Sequence, residues 1–156
     1  MVVLVLMSAM AFSLIGCGSS TTEDTMEKIK KKGEIVLGTN AAFPPFEMRK
    51  GDEVIGVDAE IAKKIADKLG VKLKVEDMDF DGLINALNAK QVDFIAAGLT
   101  VRPDREEQVL FTDKYFKAVQ KIIVREGDTK IKGTKDLKDK AIGVQKGTTG
   151  AIVAEE

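Results

Sequence analysis

The hydrophobic pattern of this chain switches repeatedly between the period of a strand and that of a helix, and this alternation constrains the fold more than any other feature. Residues 35–37 are an apolar run typical of a strand buried on both faces. Asp58 is the predicted N-cap of a helix whose apolar stripe includes Ile65 and whose stop signal is Gly70. Residues 71–76 alternate apolar and charged side chains, which predicts a half-buried strand. Together these elements make one βαβ unit.

A second helix and a third strand extend this unit. Asp81 is the predicted cap of that helix, and residues 92–95 are the predicted strand. Before the first helix, residues 40–50 predict a loop with two prolines, and residues 53–56 predict a short hairpin strand. A Lys-rich helix over residues 26–32 precedes the first strand. The order βαβαβ implies a parallel sheet with right-handed crossovers, so the fold class is α/β.

The alternation is interrupted after the third strand. Residues 119–124 predict an extended strand, and a polar stretch with a short helix near Leu137 follows. Residues 141–145 predict a further strand, and residues 146–150 predict a turn into a helix that begins near Ala151. A second α/β unit therefore starts near the end of the sequence.

Composition excludes several classes of function. The chain has 156 residues, with 24 basic and 25 acidic side chains, so its charge does not predict a nucleic-acid partner. It contains no His and one Cys, which argues against His-based catalysis and most zinc sites. We therefore expect neither a metal nor a cofactor.

The amino-terminal segment is predicted to be a secretory signal. Residues 2–16 are an apolar run of about 15 residues, shorter than the ~20 that span a bilayer as a helix. The run ends in Leu14-Ile15-Gly16-Cys17, which resembles the lipobox of bacterial lipoproteins, where the Cys is lipidated. The alternative is a buried free Cys17 at the end of a core helix. Met1-Val2-Val3 lacks the usual basic residue of a signal, so the true start is expected upstream.

The stretch from Ala96 to Arg105 is the strongest candidate for a binding site. It follows the predicted strand at residues 92–95, and ligands of open α/β sheets bind beyond the carboxyl ends of strands. Gly98 lets the backbone approach a ligand, and Arg105 can bind a carboxylate through two parallel hydrogen bonds. Arg102 competes with Arg105, but Pro103 between them favours Arg105. The alternative is a surface loop with an exposed Arg.

Six motifs occur in order, and together they resemble the family 3 extracellular solute-binding proteins, the amino-acid receptors of ABC importers. The resemblance covers Gly33 to the last residue. The motifs are Gly38-Thr39-Asn40-Ala41-Ala42-Phe43-Pro44-Pro45-Phe46, Gly56-Val57-Asp58, Asp79-Phe80, Ala97 to Arg105, Phe111-Thr112-Asp113-Lys114-Tyr115-Phe116, and Gly143-Val144-Gln145-Lys146-Gly147-Thr148-Thr149.

The resemblance implies a periplasmic-binding-protein-like fold of two α/β lobes, the type II or Venus flytrap arrangement, which closes on its ligand. Lobe 1 would be mostly present and lobe 2 truncated. The predicted organisation is a signal and lipobox (1–17), a tether and short helix (18–32), lobe 1 (33–118), and a hinge strand with the start of lobe 2 (119–156). Because both lobes contact the ligand in such proteins, we expect the chain alone to bind at most weakly.

The resemblance also implies a site for a free amino acid. Arg105 would bind the α-carboxylate, Thr100 would contribute its backbone and hydroxyl, and the Gly98 carbonyl would accept from the α-ammonium. Thr148 and Thr149 would present backbone amides at a helix N-terminus to the same carboxylate. For the two Thr residues, the alternative is a simple helix cap.

The remaining implied ligand contacts surround the side chain of the amino acid. Phe43 and Phe80 would flank it, although Phe80 has the alternative of belonging to the core. Ala97 lies beside Gly98 in the binding loop, and Asn40 and Gln145 would set selectivity. Relatives that bind lysine or arginine commonly have an acid near Asn40, and a buried ligand cation without a countercharge is costly. We therefore expect a polar uncharged amino acid.

The resemblance predicts a binding subunit rather than an enzyme. Its partners would be a permease and an ATPase, the membrane through a lipid anchor carrying acyl chains such as palmitate, and no nucleic acid. A monomer outside the cytoplasm is expected. The alternatives are an enzyme with the same lobes, either a dehydratase or a lytic transglycosylase, and a sensor domain. The motif loops that would line the cleft offer no His or Glu as acid or base, which disfavours the enzyme.

Overall fold

The structure is a computed structural model that describes residues 24–156, so Cys17 and the predicted signal lie outside the described residues. The strands are β1 (Glu34–Thr39), β2 (Ala42–Phe43), β3 (Glu47–Lys50), β4 (Glu53–Ile55), β5 (Lys72–Asp77) and β6 (Phe94–Ile95). The helices are α1 (Thr25–Lys32), α2 (Val57–Leu69), α3 (Leu83–Asn88), α4 (Pro103–Glu106) and α5 (Thr149–Glu155). Short 3-10 turns cover Phe80–Gly82 and Thr134–Leu137.

A parallel sheet forms the centre of the fold, as the βαβαβ pattern predicts, and the order of its strands is β5-β1-β6. Strand β1 pairs with β5 from Glu34↔Lys72 to Thr39↔Asp77, and with β6 at Leu37↔Phe94 and Gly38↔Ile95. Residues 35–39 of this central strand are all buried, because neighbours cover both of its faces. The carboxyl ends of all three strands therefore meet at one edge of the sheet.

Helices cover both faces of this sheet. On one face Ile29 of α1 and Ala66 of α2 pack with Ile35, and on the other Ala86 of α3 packs with Val36. The prediction of which face of α2 is buried is wrong in part, because Ile65 of the predicted apolar stripe is exposed while the alanines of α2 are buried. Small side chains allow the helix to lie close to the sheet, which gives the alanine face the better packing.

The prediction of a loop over residues 40–50 is wrong, because this segment contributes β2 and β3 to a second, antiparallel sheet of order β2-β3-β4. The predicted hairpin strand is β4, whose Ile55 pairs with Met48. The two prolines lie in the connection between β2 and β3. Proline has no backbone N–H, and at this place no N–H is needed to pair with a neighbouring strand. The prolines therefore mark the turn of this sheet rather than the whole segment.

The helices end at the glycines that the sequence predicts, but two predicted N-caps are wrong. Gly33 and Gly70 close α1 and α2 in the left-handed conformation, with φ of 72° and 71°. Gly56 rather than Asp58 is the N-cap of α2, and Asp58 accepts no capping hydrogen bond. Asp81 is not a cap either, because a 3-10 turn over Phe80–Gly82 delays the start of α3 to Leu83.

The segment between α4 and α5 is mostly exposed and contains no strand. The predicted strands at 119–124 and 141–145 are absent from the described residues, since neither segment pairs with another strand there and an unpaired strand leaves its backbone groups without partners. The predicted short helix near Leu137 is a 3-10 turn, and the last helix begins at Thr149. Between residues 24 and 156, no helix has the length and apolar character needed to cross a membrane.

Candidate functional site

Arg105 lies at the centre of the candidate site. It sits in α4, directly beyond the loop that follows β6, and only 5% of its surface is exposed. Its Nη1 donates to the Thr100 carbonyl at 2.7 Å, and its Nη2 donates to the Gly147 carbonyl at 2.9 Å. Burial lowers the pKa of Arg105, and nearby Arg102 adds to this effect, yet an arginine remains charged at neutral pH. A buried cation is thus held by two neutral carbonyls.

Arg102 takes a different direction, as Pro103 between the two arginines suggests. Its Nε and Nη2 donate to the two carboxylate oxygens of Asp104 at 2.9 and 2.6 Å. This bidentate pair forms at the surface, where the carboxylate is mostly exposed. Arg102 is therefore neutralised by a neighbour, whereas Arg105 forms no ion pair among residues 24–156.

Phe80 forms one wall beside Arg105. The guanidinium carbon lies 5.6 Å from the centre of the Phe80 ring, within the range of a cation–π contact. The adjacent Asp81 accepts from Lys146 at 2.8 Å, and a β-carbon on Gly147 would come within 2.9 Å of the Asp81 Cβ. The turn at residues 145–147 therefore lies directly against the Phe80 loop.

Gly98 and Phe43 lie against each other. Gly98 has a φ of +54°, and a β-carbon there would lie 3.0 Å from the Phe43 ring, so this position favours glycine. Phe43 is 48% exposed and stacks on Phe46 at 5.4 Å between ring centres. Ala97, in contrast, is 2% exposed and packs inward. The structure thus brings Gly98 and Phe43 together and places Ala97 behind them.

Asn40 is fixed at the end of β1 by two contacts. Its Nδ2 donates to the Met78 carbonyl at 2.7 Å, and its Oδ1 accepts from Nε2 of Gln145 at 2.8 Å. The next amide, that of Ala41, donates to Asp77 at 2.9 Å. The two predicted selectivity residues, Asn40 and Gln145, are therefore direct partners across 105 residues of sequence.

The two threonines at the start of α5 have structural roles. The Thr148 hydroxyl accepts from the Ala151 amide at 3.2 Å, which is an N-cap, and donates to the Gln145 carbonyl at 2.8 Å. The Thr149 hydroxyl accepts from Gln120 at 2.8 Å. The cap alternative therefore describes Thr148 in this structure, and contact of either backbone amide with a ligand stays a prediction.

Sequence reasoning missed a buried acidic group behind Gly98. Asp58 is fully buried, and its Oδ2 accepts from the Gly98 amide at 2.7 Å. The Tyr115 hydroxyl donates to the same carboxylate at 2.9 Å. Glu47 is also buried, and burial together with nearby Asp58 raises its pKa to about 8. Asp58 was predicted as a cap, and no pattern in a single sequence distinguishes it from one.

The arrangement suits a small ligand with a carboxylate. A nearly buried guanidinium offers donors to a carboxylate, and the Phe80 ring lies beside it. A concavity of about 640 Å³ lies elsewhere, along Val109 and Leu110 of the exposed segment, and it includes neither Arg105 nor Phe80. We place the site at the converging polar groups, because open space along an exposed segment provides no specific contacts. Residues 24–156 contain no cluster of three or more acidic, His or Cys side chains suited to a metal.

Comparisons with known proteins identify similar sequences and folds. The arginine-binding extracellular protein ArtP of Bacillus subtilis (strain 168) is 43% identical over 145 residues, which are 93% of this chain and 55% of that protein. The arginine-bound form of a truncated ArgBP from T. maritima matches with a TM-score of 0.80 and 44% identity, over 83% of this chain and 63% of that one. The arginine-bound form of domain 1 of the T. maritima protein alone matches with a TM-score of 0.56 and 44% identity, over 57% of this chain and 71% of that one.

The family is shown by a match over most of the chain. The chain spans about half the length of the curated relatives it matches. The family model for bacterial extracellular solute-binding proteins, family 3, matches residues 35–153, which include all three strands of the parallel sheet and the turn at residues 145–147. The chain therefore belongs to the family 3 bacterial extracellular solute-binding proteins.

Proposed function

We propose that this chain belongs to the substrate-binding subunit of an ABC amino-acid importer, and that Arg105 binds the α-carboxylate of a free L-amino acid. The observation that carries the proposal is the state of Arg105: it is buried and charged, and among residues 24–156 its guanidinium donates to the carbonyls of Thr100 and Gly147 and lies over the Phe80 ring without forming an ion pair. A buried charge without a countercharge is costly, so the site favours an anionic partner. A planar guanidinium matches a carboxylate with two parallel hydrogen bonds.

The other predicted contacts complete the site. The Gly98 carbonyl and Thr100 would receive the α-ammonium and the carboxylate, and Phe43 and Phe80 would flank the side chain. Thr148 and Thr149 would add backbone amides from the second lobe. The packing of Phe43 at Gly98 supports this arrangement, because a β-carbon at Gly98 would lie only 3.0 Å from the ring and the loop backbone is therefore near the aromatic side chain.

Two observations bear on the side chain of the amino acid that binds. Asn40 is neutral, and its pairing with Gln145 supports a polar uncharged amino acid. The names of relatives favour arginine instead, since ArtP and ArgBP are both described as arginine-binding. An aromatic wall accepts a guanidinium by cation–π contact, so Phe43 and Phe80 suit arginine as well. We therefore take L-arginine as the first ligand to test and L-glutamine as its neutral counterpart.

An enzyme on the same lobes is the weaker alternative. The relatives reported above are described as binding proteins, and none of their names states a reaction. A general acid or base would have to reach the site, but the buried Glu47 and Asp58 lie behind Gly98 rather than beside Arg105. The permease and ATPase partners, the location outside the cytoplasm and the lipid anchor at Cys17 are part of the proposed assignment. So is the monomeric state.

Titration calorimetry of the purified chain tests the proposal with three probes: L-arginine, L-glutamine, and agmatine, which is arginine without its carboxylate. We expect one of the amino acids to bind and agmatine to bind at least about tenfold more weakly, since hydrogen bonds to charged groups are worth roughly 1.5–3 kcal/mol. Arg105→Ala should lose this preference for a carboxylate. Arg102→Ala is the matched control, because it removes a neighbouring arginine that is already paired at the surface.

Each outcome bears on a separate claim. Binding of neither amino acid would contradict the proposed function. Equal binding of arginine and agmatine would remove the carboxylate from the recognition. Equal loss in Arg102→Ala and Arg105→Ala would show a general effect of charge rather than a contact. The arginine-bound form of an isolated domain 1 favours binding by one lobe, and the measured affinity tests our expectation of weak binding by this chain.

A further inference from the structure

Behind the candidate site, the buried carboxyls of Asp58 and Glu47 lie together with the Gly98 amide and the hydroxyl of the half-exposed Tyr115, and we call these four the buried group. Asp58 lies in the first turn of α2, and its two oxygens are used by partners far away in sequence. The Gly98 amide is 40 residues away and the Tyr115 hydroxyl is 57 residues away. Asp58 therefore joins α2 to the binding loop and to the segment that leads out of the parallel sheet.

The contact with Gly98 sets the geometry of the binding loop. An amide donor bound at 2.7 Å fixes the plane of the peptide between Ala97 and Gly98. The loop continues from this plane to Thr100, whose carbonyl holds the Arg105 guanidinium. A rotation at Gly98 would change the distance between the backbone and the Phe43 ring, which leaves too little room for a β-carbon at this position. The orientation of the loop thus depends on an acceptor that the ligand does not touch.

Glu47 is a protonated carboxyl within this group. No donor among the described residues reaches its two buried oxygens, but a protonated Glu47 can donate to the neighbouring Asp58 carboxylate. Burial and the Asp58 charge raise the pKa of Glu47 to about 8, so the side chain is neutral at pH 7. The groups that titrate and face it are Asp58 from α2 and Tyr115 from the exposed segment. The pKa of Tyr115 is itself raised by burial, by its hydrogen bond to Asp58 and by the charges of both acids.

We propose that Asp58 is a positioning residue for the binding loop, held by Tyr115, and that the loop keeps its binding geometry only while Glu47 carries its proton. The proposal rests on the proposed function, because it concerns how the same site is held in shape. Ionised Glu47 would place two carboxylates together in a buried space, and like charges there repel strongly. Asp58 would then shift away from Glu47 and from the Gly98 amide, and the loop would lose its fixed orientation.

The test combines one measurement without ligand and one with it, on the full chain at a series of pH values between 6 and 9. Hydrogen exchange of the Gly98 amide, followed by NMR and compared at equal pH, reports the contact with Asp58 directly. Calorimetric titration with L-arginine, and with L-glutamine, reports the affinity. The variants are Glu47→Gln, which stays neutral, and Tyr115→Phe, which loses one hydroxyl and keeps the ring. Asp67→Asn, an exposed acid of the same helix, is the control.

We expect Tyr115→Phe to raise Gly98 exchange and to weaken binding, each by about tenfold, because a hydrogen bond to a charged group is lost. We expect wild-type affinity to fall as the pH rises through about 8 and the affinity of Glu47→Gln to stay flat over that range, with Asp67→Asn following the wild type. The α-ammonium of the ligand titrates alike for both proteins, so their difference isolates Glu47.

The outcomes separate this inference from the proposed function. If the wild type binds and Glu47→Gln shows the same pH profile, the role of the proton is refuted. If Gly98 exchange does not change in Tyr115→Phe, the positioning role is refuted. If neither amino acid binds the wild type while Gly98 exchange responds as expected, the proposed function fails and the coupling within the buried group stands.

Discussion

Replacing Glu47 by Gln should make the protein more stable at alkaline pH, which is an unusual result for a buried polar residue. Glu47 is 1% exposed, and among the described residues neither of its oxygens accepts a hydrogen bond, so its polar partner is the Asp58 carboxylate to which the protonated group can donate. Burial, and secondarily Asp58, raises its pKa from 4.5 to about 8. Gln has almost the same shape and no proton to lose, and its amide can donate to the Asp58 carboxylate.

The sign follows from proton linkage. The folded state binds the Glu47 proton more tightly than the unfolded state. Below about pH 4.5 both states are protonated, so Glu47 does not lower the free energy of unfolding there. Between 4.5 and about 8, the unfolded chain ionises freely while the folded chain must keep its proton, and the cost to stability grows with pH. The full difference corresponds to about 5 kcal/mol, because one pKa unit is worth about 1.4 kcal/mol. Water entry and local relaxation reduce this upper value, so we expect about 1–3 kcal/mol.

Chemical denaturation at pH 4, 6 and 8.5 measures the effect as a difference between Glu47→Gln and the wild type. The difference should be small at pH 4 and should grow with pH in favour of the variant. Glu53→Gln removes an exposed carboxyl from β4 of the same antiparallel sheet and serves as the control. A constant difference across the three pH values would refute the reasoning, since it would mean that Glu47 has the same proton affinity in both states.

Two further predictions rest on single residues. Gly56→Ala should destabilise the protein by about 3 kcal/mol, because φ is +130° and a β-carbon would lie 2.6 Å from the Phe46 carbonyl carbon. Gly51→Ala is the control for backbone strain, because φ is +63° and a β-carbon there would have no atom within 4 Å; it should cost about 1 kcal/mol. If thermal or denaturant unfolding shows an equal loss of stability in the two variants, the clash at Gly56 is contradicted. Cys17→Ser should release the protein from membranes on fractionation of expressing cells, because acyl chains on Cys17 would provide the anchor; unchanged partitioning would contradict lipidation.

The part of the site that the sequence predicts is the part built by strand ends. Asn40 follows β1, Phe80 follows β5, and Gly98 follows β6. All three strands are parallel, so their carboxyl ends converge at one edge although the residues are about 20 to 60 positions apart in sequence. The alternation of strands and helices predicts the parallel sheet, and the family resemblance assigns Asn40 and Phe80 to the site. Arg105 then enters the site through the short helix that follows the third loop.

The sequence could not predict features that depend on contacts between distant segments. The antiparallel sheet was missed because β2 has two residues and β3 has four, too short for a period of alternation to be visible. The predicted strands at 119–124 and 141–145 have the right composition, but a strand exists only where a partner pairs with it. Glu47 carries no local signal of burial, because its environment is made by α2 and by Tyr115.

Asp58 shows why the propensity of Asp for helix N-caps predicts the wrong role for this residue. As an N-cap it would contribute about 1 kcal/mol by satisfying one amide at a helix end, where solvent can serve the same amide. In its actual place it is fully buried and satisfies the Gly98 amide, and a buried amide left unpaired costs about 1–3 kcal/mol. Tyr115 adds a second donor to the same carboxylate. Because the buried contacts are worth more than the cap, the chain begins α2 at Val57 after Gly56 and turns Asp58 toward the binding loop, so the helix start and the shape of the site are set by the same residue.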